Sequence, residues 1–245
     1  MNKEPLVLLP GLLCDDAVWV QQRDALAHRA EAYVPDYGLL SSIEGMARKV
    51  LADAPFKTFS LAGHSMGGRV ALEVLRLAPE RVRRLALLDT GYEPIAAGEA
   101  GAQEREKRMK LLAHARAHGM REMGKLWAPG MVHPDRVHSP LFEEILQMIE
   151  RRTPDQFAAQ IDALLGRPDA GPVLRAIKCP TYLICGRQDA WSPYARHETM
   201  SHMVPSQWVY LHAVEDSGHM STMEQPQAVT QLFEAWLDTP ATIKE

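Results

Sequence analysis

Cysteine is scarce in this 245-residue chain, which contains only Cys14, Cys179 and Cys185. An odd and sparse set argues against a framework of structural disulfides and fits a reducing compartment. Neither the cysteines nor the histidines have the spacing of a zinc site. His114 and His118 stand four residues apart on a predicted helix, but no third ligand accompanies them. We therefore predict a surface or packing role for this pair, and no metal or cofactor.

Long apolar runs and a strong charge imbalance are also missing. No run approaches the ~20 apolar residues that a membrane span needs, so we predict no membrane association. The net charge of −4 does not favour nucleic acid as a partner. With 46% hydrophobic and 24% charged residues, the composition is that of a globular domain with a sizeable core.

The apolar stretch "LVLLPGLLCDD" near the N-terminus has few features of a targeting segment. The charged leader before it is very short, a Pro-Gly pair breaks the run, and no small-residue cleavage site follows. Cys14 follows Leu13, whereas a lipid-attachment cysteine usually follows a small residue. We therefore predict a cytoplasmic protein in which residues 6–9 form a buried strand that enters a tight loop.

Strand-like apolar runs alternate with helical patterns along much of the chain, which predicts βα units and a mostly parallel sheet. The runs are "LVLL", "EAYVPDY", "FKTFSLAG", "RVRRLALLDT", "CPTYLICG" and "QWVYLHA". The alternation stops between about residues 92 and 174, where the sequence is helical and rich in Arg, Glu, Met and His. We predict an α/β core of residues 1–91 and 175–245, with residues 92–174 inserted as a helical cap.

The segment "LAGHSMGG" carries the strongest indication of chemistry. Residues 63–67 match G-x-S-x-G and lie between a predicted strand and a predicted helix. In such a turn the serine adopts a strained backbone conformation that exposes its hydroxyl, and the helix N-terminus behind it favours negative charge. The alternative is a glycine-rich turn without function, which the strand–turn–helix context disfavours. We therefore predict Ser65 as a nucleophile.

A serine nucleophile needs a base, and the base needs an acid. His219 lies in a loop between the last strand and the last helix, and such loops share one edge of a parallel sheet with Ser65. Asp189 follows the fifth predicted strand and fits the chain order Ser…Asp…His. Asp89, which ends the fourth strand, is assigned a structural role. His64 is assigned a packing or hydrogen-bonding role beside the serine.

Two backbone N–H groups are needed to stabilise an oxyanion. We predict the amide of Met66, the residue after the nucleophile, and the amide of Leu12, in the loop after the first strand. Gly11 is expected to allow a backbone turn that directs the Leu12 amide into the site. Cys14 is expected to be a reduced thiol close to the site and not a nucleophile.

With these residues in place, the chain resembles the α/β-hydrolase superfamily, and most closely its small bacterial carboxylesterases and related hydrolases with a helical cap. The resemblance rests on "GHSMGG", "LLDT", "CGRQDAWSP" and "EDSGHMSTMEQPQAV", which occur in family order over nearly the whole chain. It implies Ser65 as nucleophile, Asp189 as acid and His219 as base. It also implies Leu12 and Met66 as the oxyanion-hole amides.

The chain departs from the family pattern at two places. Pro10 stands where many relatives carry histidine, so any hydrogen bond of that histidine is missing here. The two leading strands of the family's sheet also have no obvious counterpart. The resemblance therefore implies an α/β-hydrolase fold whose sheet has about six strands.

The resemblance implies hydrolysis of a carboxylic ester with a small or medium acyl group, through an acyl-enzyme. Similar serine–histidine–aspartate sets also serve lactonases, enol-lactonases and carbon–carbon bond hydrolases, so these reactions stay open. The alternative from another class is a receptor of the same fold that binds a small ligand without turnover. An apparently complete set of site residues disfavours the receptor.

The predicted cap holds the main clue to the substrate. Residues 99–125 contain seven Lys or Arg against four Glu. This excess would suit a carboxylate, a CoA thioester or an acidic carrier protein, although a solvated helix face is the favoured interpretation. Trp191 is expected to pack beneath the loop of Asp189. Five apolar residues are interpreted equally as an acyl pocket or as packing within the cap: Leu111, Leu112, Met120, Met123 and Trp127.

Overall fold

The computed structural model of the chain describes residues 3–241. At its centre is a parallel sheet of six strands, each of which overlaps one of the six apolar runs. The strands are β1 (Glu4–Leu9), β2 (Ala30–Tyr33), β3 (Phe59–His64), β4 (Val82–Leu88), β5 (Thr181–Gly186) and β6 (Val209–Val214). The predicted mostly parallel sheet of about six strands is confirmed.

Eleven α-helices lie within the described residues. They are α1 (Val20–Leu26), α2 (Ile43–Asp53), α3 (Met66–Leu77), α4 (Glu99–His118), α5 (Met120–Trp127), α6 (Pro140–Glu150), α7 (Pro154–Leu165), α8 (Gly171–Arg175), α9 (Tyr194–Met203), α10 (Ser221–Glu224) and α11 (Pro226–Asp238). Across residues 3–241, none of these helices combines the length and the apolar character needed to cross a membrane.

The inner strands are largely apolar and almost wholly buried because helices cover the sheet. β3 and β5 are buried at every position, and β4 at all but one. Helix α3 packs on β1, β3 and β4, while α9 packs on β5 and β6. Parallel strands covered on both faces show such continuous apolar runs, whereas the edge strand β6 is mostly only partly buried.

The strand order places a crevice at the end of β1 and β3. The order is β2-β1-β3-β4-β5-β6, so the chain leaves β1 towards one edge and then returns to the other side of β1 at β3. The connections after β1 and β3 therefore diverge, and ligands of open α/β sheets bind at such a point. Leu12 follows β1 and Ser65 follows β3, so the topology alone brings these two residues to the crevice.

The long connection between β4 and β5 is helical. Residues 89–180, all of which are described, contain no strand. We name α4–α7, residues 99–165, the helical insertion; α4 packs on α5 and α7, and α5 packs on α6. The short α8, which the predicted cap includes, packs instead on α3 and α9 beside the sheet.

Candidate active site

Ser65 occupies a strained turn between β3 and α3. Its backbone has φ 54° and ψ −117°, a conformation that a residue with a Cβ adopts at an energetic cost. Two hydrogen bonds hold it there: the Ser65 N–H donates to the Leu88 carbonyl at 2.9 Å, and the Thr90 hydroxyl donates to the Ser65 carbonyl at 2.6 Å. The strained serine that the G-x-S-x-G pattern predicts is therefore present.

Two glycines let the chain segments around Ser65 approach one another. A Cβ on Gly67 would lie 2.2 Å from the Leu9 carbonyl oxygen, so only glycine allows α3 to start this close to β1. A Cβ on Gly11 would lie 2.9 Å from His64 Nδ1. Gly11 begins the turn of this loop, since its carbonyl accepts from the Cys14 N–H at 3.1 Å, but the left-handed residue of the turn is Leu13, with φ 60°. Gly11 is required for space, not for backbone freedom.

Three residues from separate loops form one hydrogen-bonded chain. The Ser65 hydroxyl lies 2.7 Å from His219 Nε2, and His219 Nδ1 lies 2.8 Å from Asp189 Oδ2. Ser65 follows β3, Asp189 follows β5 and His219 follows β6. Since carboxyl ends of parallel strands share one edge, the structure brings together the three residues that the sequence nominated.

Asp189 is held as an acceptor from two sides. The backbone N–H groups of Trp191 and Ser192 donate to its Oδ1 at 2.8 Å and 2.9 Å, while His219 takes Oδ2. Burial on its own would raise the pKa of Asp189, but the positive charge of a protonated His219 and these hydrogen bonds outweigh burial and hold the pKa below its usual range. The carboxylate is therefore ionised at neutral pH.

His219 is almost fully buried, and burial on its own would lower its pKa. The Asp189 carboxylate, by its charge and its hydrogen bond, outweighs burial, so the pKa of His219 is raised above the ordinary value. The imidazole can therefore accept the Ser65 proton more readily than a free histidine. Its backbone N–H donates to the Met131 carbonyl at 2.7 Å, which ties the loop to the segment between α5 and α6.

A buried carboxylate that the sequence did not single out holds the His219 loop. Glu224 Oε1 accepts hydrogen bonds from the backbone N–H groups of Gly218 at 2.9 Å and Met220 at 3.2 Å, the residues on either side of His219. Its Oε2 accepts from the His133 N–H at 2.7 Å. One side chain thus fixes the histidine loop and fastens it to the chain between α5 and α6.

Asp89 and His64 have the supporting roles that we predicted. Asp89 accepts from the Gly186 N–H at 2.8 Å and from the Ser221 hydroxyl at 2.5 Å, so it links the ends of β4 and β5 to the helix after His219. Burial, together with the negative charge of Asp189, raises the pKa of Asp89. His64 Nε2 donates to the His219 carbonyl at 2.7 Å, and burial lowers the pKa of His64 to about 3, so this ring is neutral.

Asp89, Cys185 and Asp189 lie close enough together to suggest a metal site. However, all four carboxylate oxygens accept hydrogen bonds from protein donors. Burial raises the pKa of Cys185 far above its usual range, so the thiol holds its proton. This donor set is engaged by the fold and does not fit a metal ion.

His114 and His118 stack on α4 with ring centroids 4.4 Å apart, and no third ligand joins them among residues 3–241.

The two predicted oxyanion donors lie beside Ser65. Leu12 and Met66 line the same cavity as the serine, and within residues 3–241 neither backbone N–H has a hydrogen-bond acceptor. The next amide along the loop, that of Leu13, donates to Gln160 Oε1 at 2.8 Å. Gln160 is a buried residue of α7, so the helical insertion fixes the loop that carries Leu12.

Ser65 and His219 open into a large cavity of about 1620 Å³ between the sheet edge and the helical insertion. Of the five apolar residues that we considered, Leu111 and Trp127 line this cavity. The other three, Leu112, Met120 and Met123, are buried inside the insertion. The interpretation as a pocket wall therefore holds for two of the five residues, and the interpretation as packing within the cap holds for the other three.

Trp191 corrects a prediction. It lines the cavity instead of packing beneath the Asp189 loop, and its ring centroid lies 5.1 Å from those of His219 and Trp127. The indole also lies beside Gly130, where a Cβ would come within 2.9 Å of Trp191 Nε1, so the insertion packs against this ring. Cys14 also lines the cavity, but burial raises its pKa to about 12, so the thiol is protonated and a poor nucleophile.

Comparison with known proteins identifies the family to which this fold belongs. Residues 6–232 match the model of the alpha/beta hydrolase family. The chain is 27% identical over 247 residues to the dihydrolipoyllysine-residue acetyltransferase component of an acetoin cleaving system from Pseudomonas putida, which covers 95% of this chain but only 63% of that protein.

Two further relatives are esterases. The pimeloyl-[acyl-carrier protein] methyl ester esterase of Nitrosomonas europaea is 26% identical over 246 residues, which cover 96% of each chain. The solved structure of a thermophilic esterase from Thermogutta terrifontis, with malate bound, superposes with a TM-score of 0.86 at 28% identity, over 96% of this chain and 90% of that one. These likenesses confirm the predicted fold class, and the chain belongs to the alpha/beta hydrolase family.

Proposed function

We propose that the protein is a serine hydrolase that cleaves a small-molecule carboxylic ester through an acyl-enzyme. The observation that carries this proposal is the hydrogen-bonded chain from Asp189 through His219 to Ser65, with distances of 2.8 Å and 2.7 Å, at the wall of a large cavity. Asp189 stabilises the imidazolium that forms when His219 accepts the serine proton.

The first half of the reaction forms the acyl-enzyme. Ser65 Oγ attacks the ester carbonyl carbon while its proton moves to His219 Nε2, and the carbonyl oxygen becomes an oxyanion. The amides of Leu12 and Met66 are the donors for this oxyanion, each worth roughly 2.7–4 kcal/mol of the barrier. The tetrahedral intermediate then collapses, and His219 returns the proton to the leaving alcohol oxygen.

The second half releases the acid. A water molecule gives a proton to His219 and attacks the acyl carbon, and the second tetrahedral intermediate expels Ser65 Oγ, which takes the proton back. The products are a carboxylic acid and the regenerated serine. No redox step or metal is needed to balance this sequence.

Two observations favour an ester as the bond that is cleaved. Both the Nitrosomonas europaea relative and the Thermogutta terrifontis structure are named as esterases. Lactone and carbon–carbon bond hydrolysis need the same three residues, so the choice of an ester rests on these two relatives. A receptor without turnover does not explain why Ser65 is strained and hydrogen-bonded to a histidine whose pKa is raised.

The test is the substitution Ser65→Ala, assayed with p-nitrophenyl acetate and butyrate. We expect hydrolysis by the wild-type protein and a loss of at least ~10³-fold in kcat for the variant, because the nucleophile is removed. Ser201→Ala, on the distant helix α9, is the matched control and retains activity. Hydrolysis by pure Ser65→Ala protein at the wild-type rate would overturn the proposal.

A further inference from the structure

The wall of the cavity is strongly positive although the protein as a whole is negative. Six cationic side chains line it, against two acidic ones, in a chain with a net charge of −4. The six are Arg69, Lys107, Arg108, Lys110, Arg167 and Arg196. A cavity lined by one sign of charge concentrates ligands of the opposite sign.

Most of the inner arginines already have carboxylate partners. Arg167 and Arg108 both pair with Glu104, at 2.7 Å and 2.9 Å, and Arg196 lies 3.4 Å from Glu93. These pairs account for the two acids that line the cavity. Glu104 and Glu93 therefore offset part of the charge of these three arginines.

Arg69 differs from these arginines. Its Nη1 donates to the backbone carbonyl of Glu93 at 2.8 Å, and within residues 3–241 no carboxylate lies within 4 Å of its guanidinium. Burial and the neighbouring charge of Arg167 lower the pKa of Arg69 to about 9, and the charge of Glu93 offsets them only in part, so the group is a cation at neutral pH without full compensation. A bound anion would relieve both effects.

The fold makes room for this guanidinium. A Cβ on Gly91 would lie 3.0 Å from Arg69 Nη2 and 3.3 Å from Glu93 Oε2, so the residue after Thr90 leaves space beside both charged groups. Arg69 stands in α3, four residues after Ser65, and it lines the same cavity as the serine. Side chains on a helix lean towards its N-terminus, which here is the end that carries Ser65.

We propose that Arg69 binds a carboxylate on the acyl part of the substrate, so that the protein prefers half-esters of short dicarboxylic acids. The planar guanidinium suits bidentate pairing with a carboxylate. Arg69 stands about one helical turn, roughly 5.4 Å, after Ser65, so the carboxylate and the ester should lie close together in the substrate, as they do in short dicarboxylic acids. The inference rests on the proposed ester hydrolysis and names its substrate class.

The kinetic test compares monomethyl with dimethyl esters of succinate, glutarate and adipate. We expect the wild-type protein to favour the monoester of at least one acid in kcat/KM over its uncharged diester. Arg69→Met lowers that preference by about 10- to 100-fold, since a charge-assisted hydrogen bond is lost. Arg69→Lys restores part of the preference, because the charge remains without the bidentate geometry.

The matched control is Arg48→Met on α2, where the guanidinium is 64% exposed and pairs with Glu44. It leaves the ratio of monoester to diester activity unchanged. Because that ratio is measured within one protein sample, partial unfolding of Arg69→Met does not alter it. No preference for any monoester by the wild-type protein, or an equal preference in Arg69→Met, would overturn the inference.

A binding measurement separates the inference from the proposed function. Calorimetric titration of Ser65→Ala protein with succinate, glutarate and adipate measures the anion site without turnover. We expect binding of at least one dianion that weakens by about 10- to 100-fold on adding Arg69→Met. If Ser65→Ala keeps full esterase activity while the dianion binds at Arg69, the ester mechanism fails and the anion site stands. If no dianion binds, the anion site fails and the ester mechanism stands.

Discussion

The two walls of the cavity are built in different ways. On the sheet side, positions are set by the backbone: the strained φ of Ser65, the close approach at Gly67 and the amides that hold Asp189. On the side of the helical insertion, positions depend on side chains such as Trp127, which lines the cavity from α5. The sheet side therefore carries the candidate catalytic residues together with Arg69, and the insertion forms the facing wall.

The two walls are also connected through the site itself. Gln160 of α7 holds the Leu13 amide, the Met131 carbonyl accepts from His219, and Glu224 joins the His219 loop to His133. Each contact ties a residue next to the reacting atoms to the connection between β4 and β5. Substitutions in the insertion are therefore able to change catalysis as well as substrate choice.

The largest effect is expected on the sheet side, at the acid. Asp189→Asn removes the charge that stabilises the imidazolium and lowers kcat by about 10⁴-fold for every ester, without changing the order of acyl preference. Asp89→Asn is the matched control, since Asp89 bonds to Gly186 and Ser221 and not to His219. If steady-state kinetics show the larger loss for Asp89→Asn, the assignment of the acid is wrong.

Glycine substitutions compare how tightly the two walls are built. Gly67→Ala would place a Cβ 2.2 Å from the Leu9 carbonyl oxygen, and we expect a loss of about 3 kcal/mol or more in the free energy of unfolding. Gly124→Ala on α5 meets only the side-chain ends of Leu146 at 3.1 Å and Ile149 at 3.3 Å, and alanine favours the helix by about 1 kcal/mol. For Gly124→Ala, urea denaturation should show a change of no more than about 1 kcal/mol in the free energy of unfolding. Equal losses in both variants would show that the walls do not differ.

The contact between the walls is tested at Gln160. Gln160→Leu leaves the buried Leu13 amide without its acceptor, at a cost of about 1–3 kcal/mol in the free energy of unfolding. We expect kcat to fall by roughly 10-fold, because one oxyanion donor weakens when its loop loosens. Gln147→Leu on α6 is the control, since Gln147 is exposed and its side-chain amide donates to Glu143. A loss of stability with unchanged kcat would limit Gln160 to a purely structural role.

The smallest effect concerns pH. His219 must be neutral to act as a base, and its pKa is raised, so kcat/KM should fall as the pH drops through a value above the ordinary histidine value of about 6.5. In Asp189→Asn the charge that raises this pKa is gone, and the acidic limb moves to lower pH. If the acidic limb of the wild-type kcat/KM profile has its midpoint at or below pH 6.5, the electrostatic role of Asp189 is contradicted. The same holds if Asp189→Asn does not move this limb.

The sequence predicted the sheet side of the molecule well, for physical reasons. Buried parallel strands need continuous apolar runs, and a strained serine needs glycine neighbours, so both leave a local pattern. The order of Asp189 and His219 after successive strands then brings them to the edge that carries Ser65. Gly11 shows the limit of such reasoning, because its need for space beside His64 depends on a strand that is distant in sequence.

The insertion was predicted less well because its important contacts are made by single side chains. Gln160 lies within an ordinary helical pattern, and nothing in the sequence connects it with Leu13, which is 147 residues away. The position of the Trp191 ring depends on contacts with Trp127, which is distant in sequence. Arg69 left one usable signal, a charged residue one turn after the nucleophile on a largely buried helix.

The attack of Ser65 on an acyl carbon is tested most directly by peptide mass spectrometry after reaction with a fluorophosphonate. Such a reagent phosphonylates a serine that a histidine base activates. We predict a single adduct on the peptide that contains Ser65, with esterase activity lost in proportion to labelling and no adduct in Ser65→Ala. Complete labelling of Ser65 with undiminished ester hydrolysis would contradict this mechanism.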